Sequence, residues 1–363
     1  MWPWSRPLLA LSLTLACQPS QTDTSPFTTA PASPATSDST TTSSSGGSSS
    51  TTDGELSTGS GSGGASTGGT TLILDVGSGD DLGPLQPEGC KGKIDFLFVI
   101  SRFDFMDAVQ AQLADAVPKF LDTIQTKFAE FDYHIMVVKG DPLWGSLACN
   151  AECPGPFTDC QAPDEYACEM VGKVPECDTT WGAGAVFNAG ENAPNKPCEI
   201  ADGRRYLTRE TPDLPESFAC IAQVGTDGGD LLGEALVHAV RPELNGPGGC
   251  NEGFLRDDAL LVVTLASVTG DFSSEGTPAE WAQAVIDAKL GDEGSVVMFG
   301  IGPTKIAGEC WSNPDLGQYD RDCDLVSRFQ YSHWISRNDP DYGPGFDIAT
   351  DLVETACSKF IPQ

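Results

Sequence analysis

Residues able to ligate a hard cation, hold zinc or move a proton are present in this chain, but few lie at the spacings those chemistries require. The apolar run Ile94 to Ile100 (IDFLFVI) passes directly into Ser101 to Met106 (SRFDFM). That segment offers one hydroxyl (Ser101), one carboxylate (Asp104) and two phenyl rings (Phe103, Phe105). Phenyl rings cannot ligate a hard cation, which wants oxygen. Asp75, Ser78, Asp80 and Asp81 supply oxygens without the spacing of a calcium loop, and read as solvated. Zinc would use cysteine and histidine. Cys149 and Cys153 form a CxxxC, but the chain has no CxxC pair and only His134, His238 and His333. His134 falls inside an apolar strand pattern and reads as packed, and His238 falls on a helical pattern. His333, in a loop, is the one histidine in a typical catalytic setting. There is no HExxH helix, and Gly-Ser-Gly occurs only where no strained strand-to-helix turn can form.

These residues need elements to position them, and the globular pattern begins at Cys90. Ile94 to Ile100 is apolar throughout, as a central strand covered on both faces should be. Phe105, Val109, Leu113, Val117, Leu121, Ile124 and Phe128 recur at helical spacing, with Pro118 expected to kink or split the helix. Phe131 to Lys139 reads as a second strand, Phe218 to Val224 as a short one, and Leu260 to Ala266 and Ser295 to Ile301 as buried ones. Helices are expected from Gly228, from the capping box at Thr277 to Glu280, and from Phe346 to Ala356. Strands alternating with helices predict an α/β fold: a doubly wound, mostly parallel sheet with helices on both faces. Two stretches break the pattern. One is a cysteine-rich insertion at about 140–215, expected to be held by disulfides rather than by a core; the other is a loop region at about 304–344.

Composition narrows the partners. The chain has 363 residues, 52 acidic against 20 basic, and a formal charge of −32. No basic surface is available to displace counterions from phosphate, so nucleic-acid binding is excluded as an electrostatic function. The same acidity argues against the domain itself docking on anionic lipid. From residue 17 to 89 the chain carries no Lys or Arg and is dominated by Ser, Thr and Gly, the composition of a disordered linker. As a flexible coil, about 70 residues reach roughly 45–50 Å. Within it, Thr71 to Val76 is a small apolar island.

The strand, loop and long helix that begin at Ile94 resemble those of a von Willebrand factor A (vWA) domain, with 90–363 as the vWA-like domain. In that family the loop after the first strand reads Asp-x-Ser-x-Ser and holds a divalent cation. Here the matching positions are Ser101, Phe103 and Phe105. The family's second loop offers a Thr ahead of an Ala-Leu pair, and counting back from Ala235 and Leu236 puts Asp230 there. Its third loop places an Asp directly after a buried strand, where this chain has Ser267. Asp104 and Asp271 remain as possible remnant ligands. The resemblance therefore implies a degenerate metal-ion-dependent adhesion site with no functional metal and no cofactor.

The N-terminus resembles that of bacterial lipoproteins. Residues 1–16 read as a signal peptide, and Leu13, Thr14, Leu15 and Ala16 before Cys17 resemble a lipobox whose cysteine is lipidated. Gln18 then implies anchoring to the outer membrane or cell surface of a Gram-negative cell. Setting Cys17 aside, 12 of the 13 cysteines remain, an even number that suits disulfides in an exported protein. The expected function is a lipid-anchored, non-catalytic binding or adhesion module. Its partner would be another protein or an extracellular-matrix component, and membrane contact would run through Cys17 alone. A structural cell-envelope protein and a secreted hydrolase acting through His333 are the alternatives. Phe103 and Phe105 either pack beneath the insertion or supply apolar contact area.

Overall fold

The computed structural model describes residues 90, 92–150 and 163–360. Cys17, the expected signal peptide and linker, and Cys153 and Cys160 lie outside the described residues. In chain order the elements are β1 (Lys93–Ile100), α1 (Asp107–Lys127), β2 (Asp132–Lys139), α2 (Glu176–Thr179), β3 (Leu207–Thr208), α3 (Leu214–Ala222), α4 (Leu232–Ala239) and α5 (Pro242–Asn245). They continue with β4 (Leu260–Ala266), α6 (Pro278–Ala288), β5 (Val296–Gly302), β6 (Ser312–Asn313), β7 (Gln318–Tyr319), α7 (Arg321–Ser327), β8 (Tyr331–Ser336) and α8 (Gly343–Lys359).

The sheet runs β3-β2-β1-β4-β5-β8, and only the two-residue β3 is antiparallel. Alternate residues of the strands face opposite sides, so each strand feeds two cores. Phe96, Phe98 and Ile100 of β1 pack with α1, α3 and α8 on one face. Leu97 and Val99 pack with α4, α6 and α7 on the other. The fold is thus the doubly wound α/β sheet that the alternating pattern predicts. Because β2 lies on one side of β1 and β4 on the other, the topological switch falls between β1 and β4. Ligand crevices form beyond the carboxyl ends of strands at such a point.

Several elements depart from expectation. Phe218 to Val224 is not a strand: Leu214–Ala222 is a helix with proline in its first turn, and Phe218 and Ile221 point into the core. The first helix starts at Asp107, so Phe105 is not part of its apolar face. It continues through Pro118 without a break. The region 304–344 is not merely loop. It contains α7 and β8, and β8 is the edge strand of the sheet beside β5. The N-cap half of the expected capping box is present: Thr277 Oγ1 accepts from Glu280 N at 3.3 Å, while Glu280 Oε2 accepts from the Thr277 hydroxyl at 3.0 Å rather than from its backbone N–H.

Five disulfides join described residues: Cys90–Cys357, Cys149–Cys168, Cys177–Cys250, Cys198–Cys220 and Cys310–Cys323. Three of them hold the insertion, to itself, to α3 and to the segment before β4. The insertion also has a small core of its own, in which Trp144 packs on Phe187 and donates its Nε1–H to the Phe187 carbonyl at 2.9 Å. The expectation of disulfides without a core is corrected on that point. Among the described helices, none is long and apolar enough to cross a membrane.

Candidate functional site

Three loops meet at the switch point. Ser101 follows β1 and donates its backbone N–H to Ala266 at 2.9 Å; Ser267 follows β4 and donates its own to Ile301 at 2.9 Å. The third loop brings Asp230 from just before α4. Both serines are fully buried and Asp230 is nearly so. Ser267 Oγ donates to the Asp230 carboxylate at 3.1 Å, and the Thr269 and Ser101 hydroxyls bond it as well. Burial pushes the Asp230 carboxyl up, against the pull of the Thr269, Ser101 and Ser267 hydroxyls, and the charge of Asp271 pushes it further. The family's roles are therefore exchanged: hydroxyls stand at both carboxylate positions and a carboxylate at the threonine position. Hydroxyl protons occupy the carboxylate lone pairs that would otherwise face an ion.

The remaining expected ligands turn elsewhere. Phe103 and Phe105 are exposed, Phe105 by 78%, so neither packs beneath the insertion. Phe105 also holds left-handed backbone at φ 74°, costly for a bulky side chain. Asp104, between them, is exposed and does not lean into the site. Asp271 is buried but serves as a cap. Its Oδ2 accepts from Gly233 N at 2.8 Å in the first turn of α4, and its Oδ1 from Ser274 N at 2.9 Å. An anion fits there because the first N–H groups of a helix lack partners. A side chain at Gly233 would strike the Trp281 ring, so α4 and α6 approach closely only with glycine there. The residues at the five family ligand positions do not fit the family's metal. Among the described residues, no three His, Cys, Asp or Glu side chains converge as metal ligands.

Two groups escaped the sequence reading. Arg102 is fully buried beside Ser101. Its guanidinium donates to Asp141 at 3.0 Å, to the Leu143 carbonyl at 2.7 Å and to the Gly145 carbonyl at 2.6 Å. Its backbone meanwhile pairs with Gly228 and Gly229. The Arg102 fork thus ties the β1 loop to the start of the insertion and to the loop carrying Asp230. The second group is Asp320 and Asp322, both completely buried at the start of α7. Asp320 Oδ1 caps α7 by accepting from Cys323 N at 2.9 Å. Asp320 Oδ2 and both oxygens of Asp322 have no hydrogen-bond partner. Burial pushes the Asp320 carboxyl up to about 7. Burial, then the charges of Asp271, Asp230 and Asp320, push Asp322 well above its ordinary range. The faint signal was the spacing Asp320-Arg321-Asp322, hidden in a stretch read as loop.

Beside this cluster, beyond the ends of β4 and β5, lies an open apolar groove of about 500 Å³. Val268, Phe272, Pro303, Ile306 and Trp311 line it, with Arg337 and Asn338 at its edge. Ile306 is 62% exposed and Phe272 packs on Trp311 with ring centroids 5.9 Å apart. The histidines lie away from it or are packed. His134 donates its Nδ1–H to the Phe254 carbonyl (3.0 Å) and leans on Tyr206, and burial lowers its pKa to about 4. His333 is in strand β8, not in a loop, stacked on Phe299.

The fold is a doubly wound, mostly parallel α/β sheet with helices on both faces, Rossmann- or vWA-like in architecture. No described protein family and no curated protein matches the sequence. Two solved structures of proximal thread matrix protein 1 from the mussel byssus are similar. One, in crystal form 2, is 12% identical with a TM-score of 0.33. The other, with a zinc-occupied MIDAS motif, is 13% identical with a TM-score of 0.34. In both cases 74% of this chain is covered, and it spans 47% of the length of the mussel protein. The likeness is too distant to carry function.

Proposed function

We propose that this protein is an exported, non-catalytic binding module, held to a membrane by a lipid on Cys17. The carboxyl-terminal rim of its sheet would engage another protein or a matrix component. One observation carries the reading: the rim presents a groove of about 500 Å³ flanked by exposed aromatic and aliphatic side chains. Contiguous apolar surface on an otherwise acidic, solvated domain marks an interaction site. Phe103 and Phe105 are exposed on the loop after β1, at the same end of the sheet, and the left-handed backbone at Phe105 is the kind of local strain that functional surfaces retain.

The alternatives weigh less. A hydrolase would lean on His333, whose ring is stacked on Phe299 and whose pKa burial lowers. A purely structural envelope protein would gain nothing from an apolar groove at one end of the sheet.

The test is binding of the labelled full chain to intact cell surfaces, comparing wild type with Phe272→Ser/Ile306→Ser. Saturable binding that weakens at least tenfold in the double variant, with the thermal midpoint preserved, supports the reading. Equal binding by both proteins contradicts it.

A further inference from the structure

Three features stand out at the carboxyl-terminal end of the sheet. The first is the loop after β1, where Phe103, Asp104 and Phe105 are all exposed, Phe105 by 78%. Left-handed backbone at Phe105 (φ 74°) is costly for a bulky residue, so its ring is held in solvent against both local sterics and hydration. The second is the open groove of about 500 Å³, walled by Val268, Phe272, Pro303, Ile306 and Trp311. The third is Arg337 at the groove's edge. Its backbone N–H is fixed to the Gly302 carbonyl at 2.7 Å and its Nη1 donates to the Val268 carbonyl, which positions the guanidinium without neutralising it. Among the described residues, neither Arg337 nor Asp104 has an ion-pair partner.

We propose that a second copy of this chain occupies the groove: Phe103 and Phe105 of one protomer enter the groove of its partner, and Asp104 pairs with Arg337. The two surfaces match in chemistry. The β1 loop offers two rings around one carboxylate. The groove offers aliphatic walls, the rings of Phe272 and Trp311 for aromatic contact, and one guanidinium. Strands β1, β4 and β5 are parallel, so the loops that follow them leave the same end of the sheet. Two copies set rim to rim about a two-fold axis therefore make the same contact twice, as an isologous dimer does. The formal charge of −32 opposes self-association, which keeps the contact weak and reversible. At physiological salt the Debye length is about 8 Å, so this long-range repulsion is screened more than a close ion pair. The inference rests on the reading of the rim as the binding face and gives that face a specific occupant.

The experiment is sedimentation velocity of the full chain at physiological salt, from about 1 to 300 µM, the range in which a small, weak interface is populated. Wild type should move reversibly from monomer towards dimer. Asp104→Arg and Arg337→Asp should each weaken association by at least about tenfold, because each sets like charges opposite one another twice. An equimolar mixture of the two variants should associate as wild type does, since both cross pairs are again opposite in sign. Loss of folding cannot produce that recovery. Glu130→Arg, at the other end of the sheet, changes the charge as Asp104→Arg does and should dimerise normally. Should Arg337→Asp fail to fold, a photocrosslinking residue at position 105 in mixed light and heavy chains decides: light-to-heavy adducts on the groove support the dimer, and their absence contradicts it. The proposal is overturned if wild type stays monomeric, if either single variant associates as tightly as wild type, or if the mixture associates no better than its components. Association that continues past two copies also overturns it. A wild type that stays monomeric yet binds cells through Phe272 and Ile306 would sink the dimer alone and leave the rim as the binding face.

Discussion

The Ser267 hydroxyl donates to the Asp230 carboxylate at 3.1 Å, joining the strand at the centre of the sheet to the loop that starts α4. Ser267 Oγ also accepts from the backbone N–H groups of Thr269 and Gly270, at 3.1 Å each. One small side chain therefore satisfies two N–H groups and one carboxylate at the switch point. Ser267→Ala should destabilise the domain by about 1–3 kcal/mol, the cost of leaving buried polar groups unpaired. Urea unfolding reads this directly, and an unchanged midpoint would contradict the network.

Arg102 gives a larger effect. Arg102→Met leaves Asp141 buried without its cation, and should cost about 3–5 kcal/mol. Adding Asp141→Asn should recover part of that loss, because the stranded charge disappears with it. A double-mutant cycle in urea measures the coupling, and strict additivity would show that the pair does not act as a unit.

Phe105 separates stability from function. At φ 74° it pays for a backbone that glycine adopts freely. Phe105→Gly should therefore raise stability by about 1 kcal/mol while weakening surface binding. Thermal melts and binding assays on the same preparation check both halves. A variant that loses stability would mean the phenyl packs in solution.

The aspartate cluster sets a pH dependence. Burial pushes the Asp320 carboxyl up to about 7 and pushes Asp322 well above the ordinary carboxylate range. Asp230, Asp271 and Lys305 are the charged groups facing them. A raised folded pKa means that the native state holds protons the unfolded chain has released. The stabilisation is complete below about pH 4 and is lost as pH rises through about 7. Denaturation midpoints from pH 4.5 to 7.5 should fall in wild type, and fall less in Asp322→Asn. Parallel slopes would contradict the assignment.

Much of the scaffold was legible because its strands are doubly buried. Ile94 to Ile100 and Leu260 to Ala266 read as apolar runs and are the two central strands. Edge strand β8 was missed for the opposite reason: Tyr331 and Ile335 are buried, but the polar Ser332 and His333 between them leave no apolar run. The helix α3 reads as a strand in the sequence because Phe218 to Ala222 is a short apolar run, which periodicity alone does not assign; its Phe218 and Ile221, three residues apart, share the buried face. At the site, the Ser101 and Ser267 hydroxyls bond the Asp230 carboxylate. Asp271 does not join them as a ligand, since the left-handed turn at φ 51° aims it at α4. Arg102, Asp320 and Asp322 were illegible because charge in a sequence gives no sign of being buried.

The central claim is that the carboxyl-terminal rim is the binding face. The most direct measurement places a photocrosslinking residue at Ile306 on the rim, or at Glu130 at the opposite end of the sheet, and irradiates full chain bound to intact cells. The account predicts a discrete, saturable adduct from position 306 that unlabelled wild type competes away and Phe272→Ser/Ile306→Ser does not. Position 130 should give no such adduct. Equal labelling from both ends, or no saturable adduct from either, would contradict it.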